Sequence, residues 1–297
     1  PTLSSATLAS SNAATNRAKS GDSLTLVFSS SEPIPVLTVT LAGTSVTATN
    51  ASGNGTDWQA VHTVDSSTPS DAVAFRTSFA DAAGNTGTVE STTDSSSVAV
   101  DLEAPTLSKV EVASSNANTQ GQTEQLAKAG DTITLTVASS EALRSLGVVG
   151  GDGSPTPLTA VGDTGREWTL SKPVESGENG EWSFTLNYED LAGNAGASVS
   201  DTDTTNNSKI TIDTTLPTLS SVALASNNPD SPAFAKSGDT LSLSFTSSEE
   251  IPAPTVTLAG VTQTAFDLSN AGTSWQAVQV VDDDTPNTAV AFRITFA

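Results

Sequence analysis

Asp101, Glu103, Glu141, Asp190 and Asn194 are five oxygen-bearing side chains that could form a hard-cation site if the fold gathers them. Calcium takes six to eight oxygen ligands, carboxylates and carbonyls above all. Carboxylates crowded together without a cation repel one another. A poorer version of the set recurs at Asp213 and Glu249, with Glu250 beside it. There Asp213 is followed by Thr214 and Thr215, so the counterpart of Glu103 is missing and weaker or no binding is expected. Glu32 and Asp81 hold the matching places earlier in the chain. A second reading stands beside this one. Asp190 and Asn194 also suit a plain turn in which Gly193 takes a positive φ and the side chains bond local backbone.

Other chemistries find little support. The chain has one histidine, His62, and the matching position further on is Gln279. No nucleophile elbow, phosphate-binding loop or dinucleotide fingerprint occurs, so no enzymatic activity is expected. Thirty-three acidic residues against eleven basic ones give a net charge of −22, the wrong sign for a nucleic-acid partner. Cysteine is absent, which excludes disulfides and thiolate sites, and methionine is absent too. No run approaches the ~18 apolar residues of a membrane span, so this segment is not expected to insert in a membrane. Lys19, Lys128 and Lys236 precede Gly-Asp in loops, the wrong setting for a buried Lys–Asn isopeptide bond. Asp22, Asp131 and Asp239, which close those loops, read as turn residues. Asn50, Asn54 and Asn206 head glycosylation sequons that matter only in a eukaryotic or similarly equipped source.

A repeat must position these residues. Pro1-Thr2-Leu3-Ser4-Ser5 returns at Pro217 to Ser221, Lys19-Ser20-Gly21-Asp22 at Lys236 to Asp239, and Thr38 to Gly43 letter for letter at Thr255 to Gly260. Trp58 to Val61 returns at Trp275 to Val278, and Ala72 to Arg76 at Ala289 to Arg293. A diverged copy lies between: Pro105 to Ser108, Lys128-Ala129-Gly130-Asp131, Ser139-Ser140-Glu141 (matching Ser30-Ser31-Glu32), and Asp190 to Asn194 (matching Asp81 to Asn85). The repeat unit is roughly 105–110 residues, a usual domain size. The expected domains are residues 1–103, residues 104–215, and residues 216–297, the last stopping before its sixth-to-seventh loop and final strand.

Within each copy the pattern is that of strands. Thr and Ser make up about three residues in ten, and Val and Thr fill the candidate strands. Leu24, Leu26 and Phe28 alternate with Thr25 and Val27; Val73, Phe75, Thr77 and Phe79 alternate with small or polar residues; Trp182, Phe184, Leu186 and Tyr188 do the same in the middle copy. Helical periodicity is nowhere sustained. About seven short strands per copy predict an all-β chain of tandem immunoglobulin-like Greek-key sandwiches in an elongated array. In the first copy the strands are expected at residues 2–9, 23–30, 37–41, 45–49, from 58, 73–79 and 97–101. Trp58, Trp168 and Trp275 fall at equivalent places and read as core or edge anchors. Strand direction alternates in such a sandwich. The second-to-third loop (Glu141), the sixth-to-seventh loop (Asp190, Asn194) and the entering linker (Asp101, Glu103) then lie at one end of the middle copy.

The run Lys-Ser-Gly-Asp, alternating strand, Ser-Ser-Glu, then Asp-x-Ala-Gly-Asn and Asp-x-x-x-Pro-Thr resembles the bacterial immunoglobulin-like, cadherin-like repeats of giant cell-surface adhesins and extracellular fibres. The likeness covers essentially the whole chain, and its most specific element is Asp-x-Ala-Gly-Asn. It implies the sandwich fold and an extracellular, cell-surface setting, and identifies no ligand. The expected role is a structural spacer with neighbouring repeats of the same parent chain as partners. The acidic cluster read above would, with calcium, stiffen the junction in the way such repeats are rigidified. The alternatives are a self-assembling filament subunit, joined by homotypic contacts through strand complementation, and a glycan-binding module.

Overall fold

The computed structural model describes residues 1–151 and 155–296. Residues 152–154 and 297, which fall in the second and third expected domains, lie outside it. The chain forms two compact units, residues 1–214 and 215–297.

The first unit contains two β-sandwiches. In the first of them the strands are β1 (Leu3–Ser10), β2 (Arg17–Ala18), β3 (Ser23–Ser30), β4 (Val36–Leu41), β5 (Thr44–Val46), β6 (Ala48–Asn50), β7 (Asp57–Thr63), β8 (Phe75–Ala80), β9 (Thr86–Val89) and β10 (Ala99–Val100). One sheet runs β1-β3-β7-β6 and the facing one β5-β4-β8-β9. Neighbours such as β3 and β7 are not consecutive, so the chain crosses between sheets as in an immunoglobulin-like Greek key. Alternation drives the packing: Leu24, Leu26 and Phe28 of β3 point inward and are wholly buried, meeting Val39 and Leu41 of β4 and Phe75 and Phe79 of β8. The tight turn from β4 to β5 puts Ala42 at φ 51 and Gly43 at φ 78, the primed geometry that matches strand twist.

Two details differ from the expected layout. The fourth strand is two pieces. β5 pairs with β4 in one sheet and β6 with β7 in the other, so the chain changes sheets at Thr47. The final strand is also split. β9 pairs with β8, then the chain crosses the open flank of β1 and β10 ends parallel to β2. On the way Thr93 Oγ1 accepts the Ala6 N–H (3.0 Å) and Ser96 Oγ accepts the Leu8 N–H (2.9 Å), covering an otherwise bare sheet edge.

The second sandwich repeats the plan. Its sheets are built from Leu107–Ser114, Thr132–Ser139, Glu167–Pro173 and Thr159–Val161, and from Pro155–Pro157, Leu143–Gly150, Phe184–Asp190 and Val199–Ser200. Glu124–Ala127 lies parallel to Lys209–Asp213, the counterpart of β2 with β10. Its core holds Ile133, Leu135, Val137, Phe184, Leu186 and Tyr188. Trp182, expected in strand phase, precedes its strand and rests tilted against Phe184, 5.3 Å between ring centroids.

The second unit pairs Leu219–Ser226, Thr240–Ser247, Ser274–Val280 and Phe266–Asp267 in one sheet and Val261–Thr264, Thr255–Leu258 and Phe292–Thr295 in the other. Among the described residues its buried apolar cluster has nine members where each sandwich of the first unit has sixteen. Part of the difference lies in the outer strand, where Leu219–Ser226 buries none of its residues whereas β1 buries Ala6, Leu8 and Ser10, and part in Phe292, exposed where its counterpart Phe75 is buried. Among the described residues helix is limited to a 3-10 turn at Asp201–Asp203, and no helix is long and apolar enough to cross a membrane.

Candidate functional site: an acidic junction inside the first unit

The linker Asp101–Glu103 enters the second sandwich beside two of its loops. Carboxylate oxygens of Asp101, Glu141 and Asp190 all lie within 4.8 Å of one another. Asp190 ends the strand Phe184–Asp190 and is fully buried; Asp101 and Glu141 are half-buried. The Asp190 loop is a complete Asx turn. Its Oδ1 accepts the N–H groups of Ala192 (2.8 Å) and Asn194 (2.9 Å), its Oδ2 accepts Asn194 Nδ2 (2.7 Å), and Gly193 takes φ 87. The turn and the acidic cluster are therefore the same residues. Asn194 presents its amide NH2 to Asp190 and to the Asp101 main-chain oxygen (3.0 Å), tying the linker to the loop as a donor. Glu103 is exposed; its N–H bonds Asp101 Oδ1 (3.1 Å), and its charge bears on Glu141.

Burial, then the charges of Asp101 and Asp190, push the Glu141 carboxyl above its ordinary value, with Arg166 opposing. A carboxyl whose pKa rises on folding binds more protons folded than unfolded. Stability is therefore lost as pH climbs from its unfolded value through its raised folded value. Glu141→Gln removes that loss. In chelator the Gln variant melts above wild type, by a margin that is larger at pH 7 than at pH 4.5; a margin independent of pH would show that Glu141 carries no such charge strain.

The first sandwich grips the same loop from its other side. Asn12, itself buried, donates Nδ2 to the Ala192 carbonyl (2.8 Å) and to Asp22 Oδ2 (2.7 Å). Lys19 Nζ donates to the Gly193 carbonyl (2.6 Å). Sequence reasoning placed Lys19 in a loop and passed over Asn12. The signal was present: an asparagine precedes Lys-x-Gly-Asp in every copy (Asn12, Asn116, Asn228), but at varying distance. The Asp of that loop is a turn former throughout, its Oδ2 accepting the N–H of Lys19, Lys128 or Lys236 at 2.8, 2.9 and 2.8 Å.

The remaining candidates stand apart from this cluster. Asp81 repeats the turn with Asn85 (Nδ2 to Oδ2, 2.7 Å), and that bond foremost holds its carboxyl below the usual range. Glu32 is exposed in the neighbouring loop. Among the described residues neither joins a group of three carboxylates. Asp213 is exposed at the end of the first unit. Glu249 belongs to the second unit, where Ser247 Oγ bonds its carbonyl (2.6 Å) and its Oε1 is buried without a hydrogen bond. Asn54 and Asn206 are exposed and Asn50 half-buried; all three are engaged in local side-chain turns. His62 Nε2 meets Thr68 Oγ1 at 3.0 Å.

No family model matches the chain, and neither does any curated protein. Among solved structures it is similar to one concerned with host cell surface retention of a 1.5-MDa bacterial ice-binding adhesin, at 17% identity over 93% of this chain and 86% of that one, with a TM-score of 0.44. A calcium-stabilized adhesin that helps an Antarctic bacterium reach out and bind ice gives 17% identity over 100% and 74%, with a TM-score of 0.43. The ICAM-5 D1–D4 ectodomain fragment gives 14% identity over 95% and 72%, with a TM-score of 0.37.

Proposed function

We propose that this chain is a non-catalytic spacer from an extracellular adhesin or surface fibre, built of three sandwich repeats near residues 1–103, 104–215 and 216–297, and that calcium stiffens its first junction. The observation that carries the reading is the meeting of Asp101, Glu141 and Asp190 where one sandwich hands over to the next. Three hard oxygen donors and the strained Glu141 charge fit a calcium ion better than they fit an empty site. Asp101, Glu141 and Asp190 would hold it, with Glu103 close by. The ion would cancel the repulsion and join linker to loops, while Asn12 and Lys19 fix the other side of the same turn. A spacer transmits position, and a junction clamped on two sides transmits it better than a flexible linker.

Calorimetric titration of the whole chain with calcium tests this. One saturable site is expected, with protons released on binding as the pH falls into the raised range of the Glu141 carboxyl. At free calcium a hundredfold above Kd the first unit gains about 2.7 kcal/mol. Glu141→Gln should weaken binding roughly a hundredfold by removing a charged ligand. No heat and no change in melting at millimolar calcium would end the calcium reading.

A further inference from the structure

The loop joining β6 to β7 of the first sandwich runs Ala51-Ser52-Gly53-Asn54-Gly55-Thr56. Gly55 serves the fold. Its φ is 79, and its carbonyl accepts the Ile34 N–H (3.1 Å) and the Trp58 Nε1–H (3.1 Å). The other copies keep this duty: Gly165 takes the Leu143 N–H (2.9 Å), and Gly272 takes the Ile251 N–H (3.0 Å) and the Trp275 Nε1–H (3.1 Å). The residue before the glycine varies, being Asn54, Thr164 and Ala271.

An asparagine followed by glycine carries an electrophile and a nucleophile side by side, because glycine has no Cβ to keep its nitrogen from the side-chain amide carbon. Asn54 is exposed, and the peptide group between it and Gly55 is free to turn: neither the Asn54 carbonyl nor the Gly55 N–H has a hydrogen-bond partner among the described residues. The amide oxygen, by contrast, is held and polarised. Asn54 Oδ1 accepts the Thr56 N–H (2.9 Å) and the Ser52 hydroxyl, whose one proton is shared with Asp57 Oδ2 (2.8 Å). Donors so placed stabilise the negative charge that builds on this oxygen during attack at Cγ. The chain's second Asn-Gly pair is held differently. Asn179 is exposed too, but Gly180 lies inside the strand Asn179–Glu181, paired with Ile212, and Asn179 Oδ1 accepts the Thr214 N–H (2.8 Å). Its backbone cannot turn toward the side chain until that pairing opens.

We infer that Asn54–Gly55 is a self-modification site, where the Gly55 nitrogen displaces ammonia from the Asn54 side chain and water completes the conversion to aspartate or isoaspartate. The Gly55 nitrogen gives its proton to hydroxide and bonds to Cγ. The Cγ–Nδ2 bond breaks, and the amine takes a proton from water and leaves as ammonia. Water then opens the succinimide at either carbonyl, so the net change is one water in and one ammonia out. Both products put a carboxylate where Nδ2 had donated to Asp57 Oδ2 (3.2 Å), and an attraction becomes a repulsion. Isoaspartate also adds a methylene to the main chain ahead of Gly55, displacing the carbonyl that holds Ile34 and Trp58. None of this depends on calcium or on the spacer reading.

The test incubates the intact chain in warm, mildly alkaline buffer and follows each peptide by mass spectrometry. Conversion adds about 1 Da, and isoaspartate is counted by enzymatic methylation. Asn54 should convert roughly tenfold faster than Asn179 or more, and the two rates should converge in urea, because strand pairing is what separates them. Conversion should quicken with pH, and the melting temperature of the first unit should fall in step with it. Asn54→Thr, which installs the residue of the second copy, should neither gain mass in this loop nor lose stability on incubation. An unmodified Asn54 in the folded chain, equal rates at Asn54 and Asn179, or an equal loss of stability in Asn54→Thr would overturn the assignment.

Discussion

Asp190→Ala lowers the stability of the first unit by about 3 kcal/mol and abolishes its response to calcium, as followed by urea unfolding with and without the ion. The magnitude follows from what the carboxylate does. Wholly buried, it accepts two backbone N–H groups and one side-chain amide, all within a five-residue turn. Alanine leaves those donors unsatisfied in a place where Ala192 is also fully buried, and each orphaned donor costs about 1–3 kcal/mol. The turn also presents the Ala192 and Gly193 carbonyls to Asn12 and Lys19, so its collapse loosens the contact with the first sandwich. Asp190→Asn separates the two roles. It retains an acceptor for the backbone, so most stability in chelator survives, but it removes a negative ligand and calcium affinity falls. If Asn and Ala behave alike in chelator, the hydrogen-bonding account of the turn is wrong.

Phe28→Ala costs about 4 kcal/mol. Phe28 sits at the centre of β3, fully buried between the sheets, and an alanine there leaves a ring-sized cavity that close-packed strands refill poorly. The loss stays with the first unit. Phe245, its counterpart, belongs to a separate cluster in the second unit, so hydrogen exchange should show strand Thr240–Ser247 protected as in wild type. Deprotection of that strand by Phe28→Ala would mean that the two units unfold as one.

The fold was legible because repetition and period-2 alternation speak together. Leu24, Leu26 and Phe28 announce a half-buried strand, and near-identical blocks show the same plan written again. The change of sheet at Thr47 was hidden, because the Thr-rich run from Thr44 to Thr49 suits either sheet and only three-dimensional pairing decides. The split last strand was hidden for a similar reason. Residues 86–89 are Thr, Gly and Val, weak in apolar signal, and they pair at an edge. At the junction, alternation of strand direction sufficed to bring Asp101, Glu141 and Asp190 to one end. It could not tell that Asn194 would offer its NH2 to the linker, nor that Asn12 would cross to Ala192. Both depend on side-chain rotamers and on how two sandwiches abut, which no periodicity encodes.

The lack of cysteine allows the central claim to be tested by one clean distance measurement. Spin labels at Thr44→Cys in the first sandwich and Glu175→Cys in the second, both exposed positions, report the spread of distances across the junction. A calcium-clamped junction predicts a single narrow distribution in calcium that broadens in chelator, and a Glu141→Gln background in which calcium no longer changes the width. A width indifferent to calcium in the unmodified junction would contradict it.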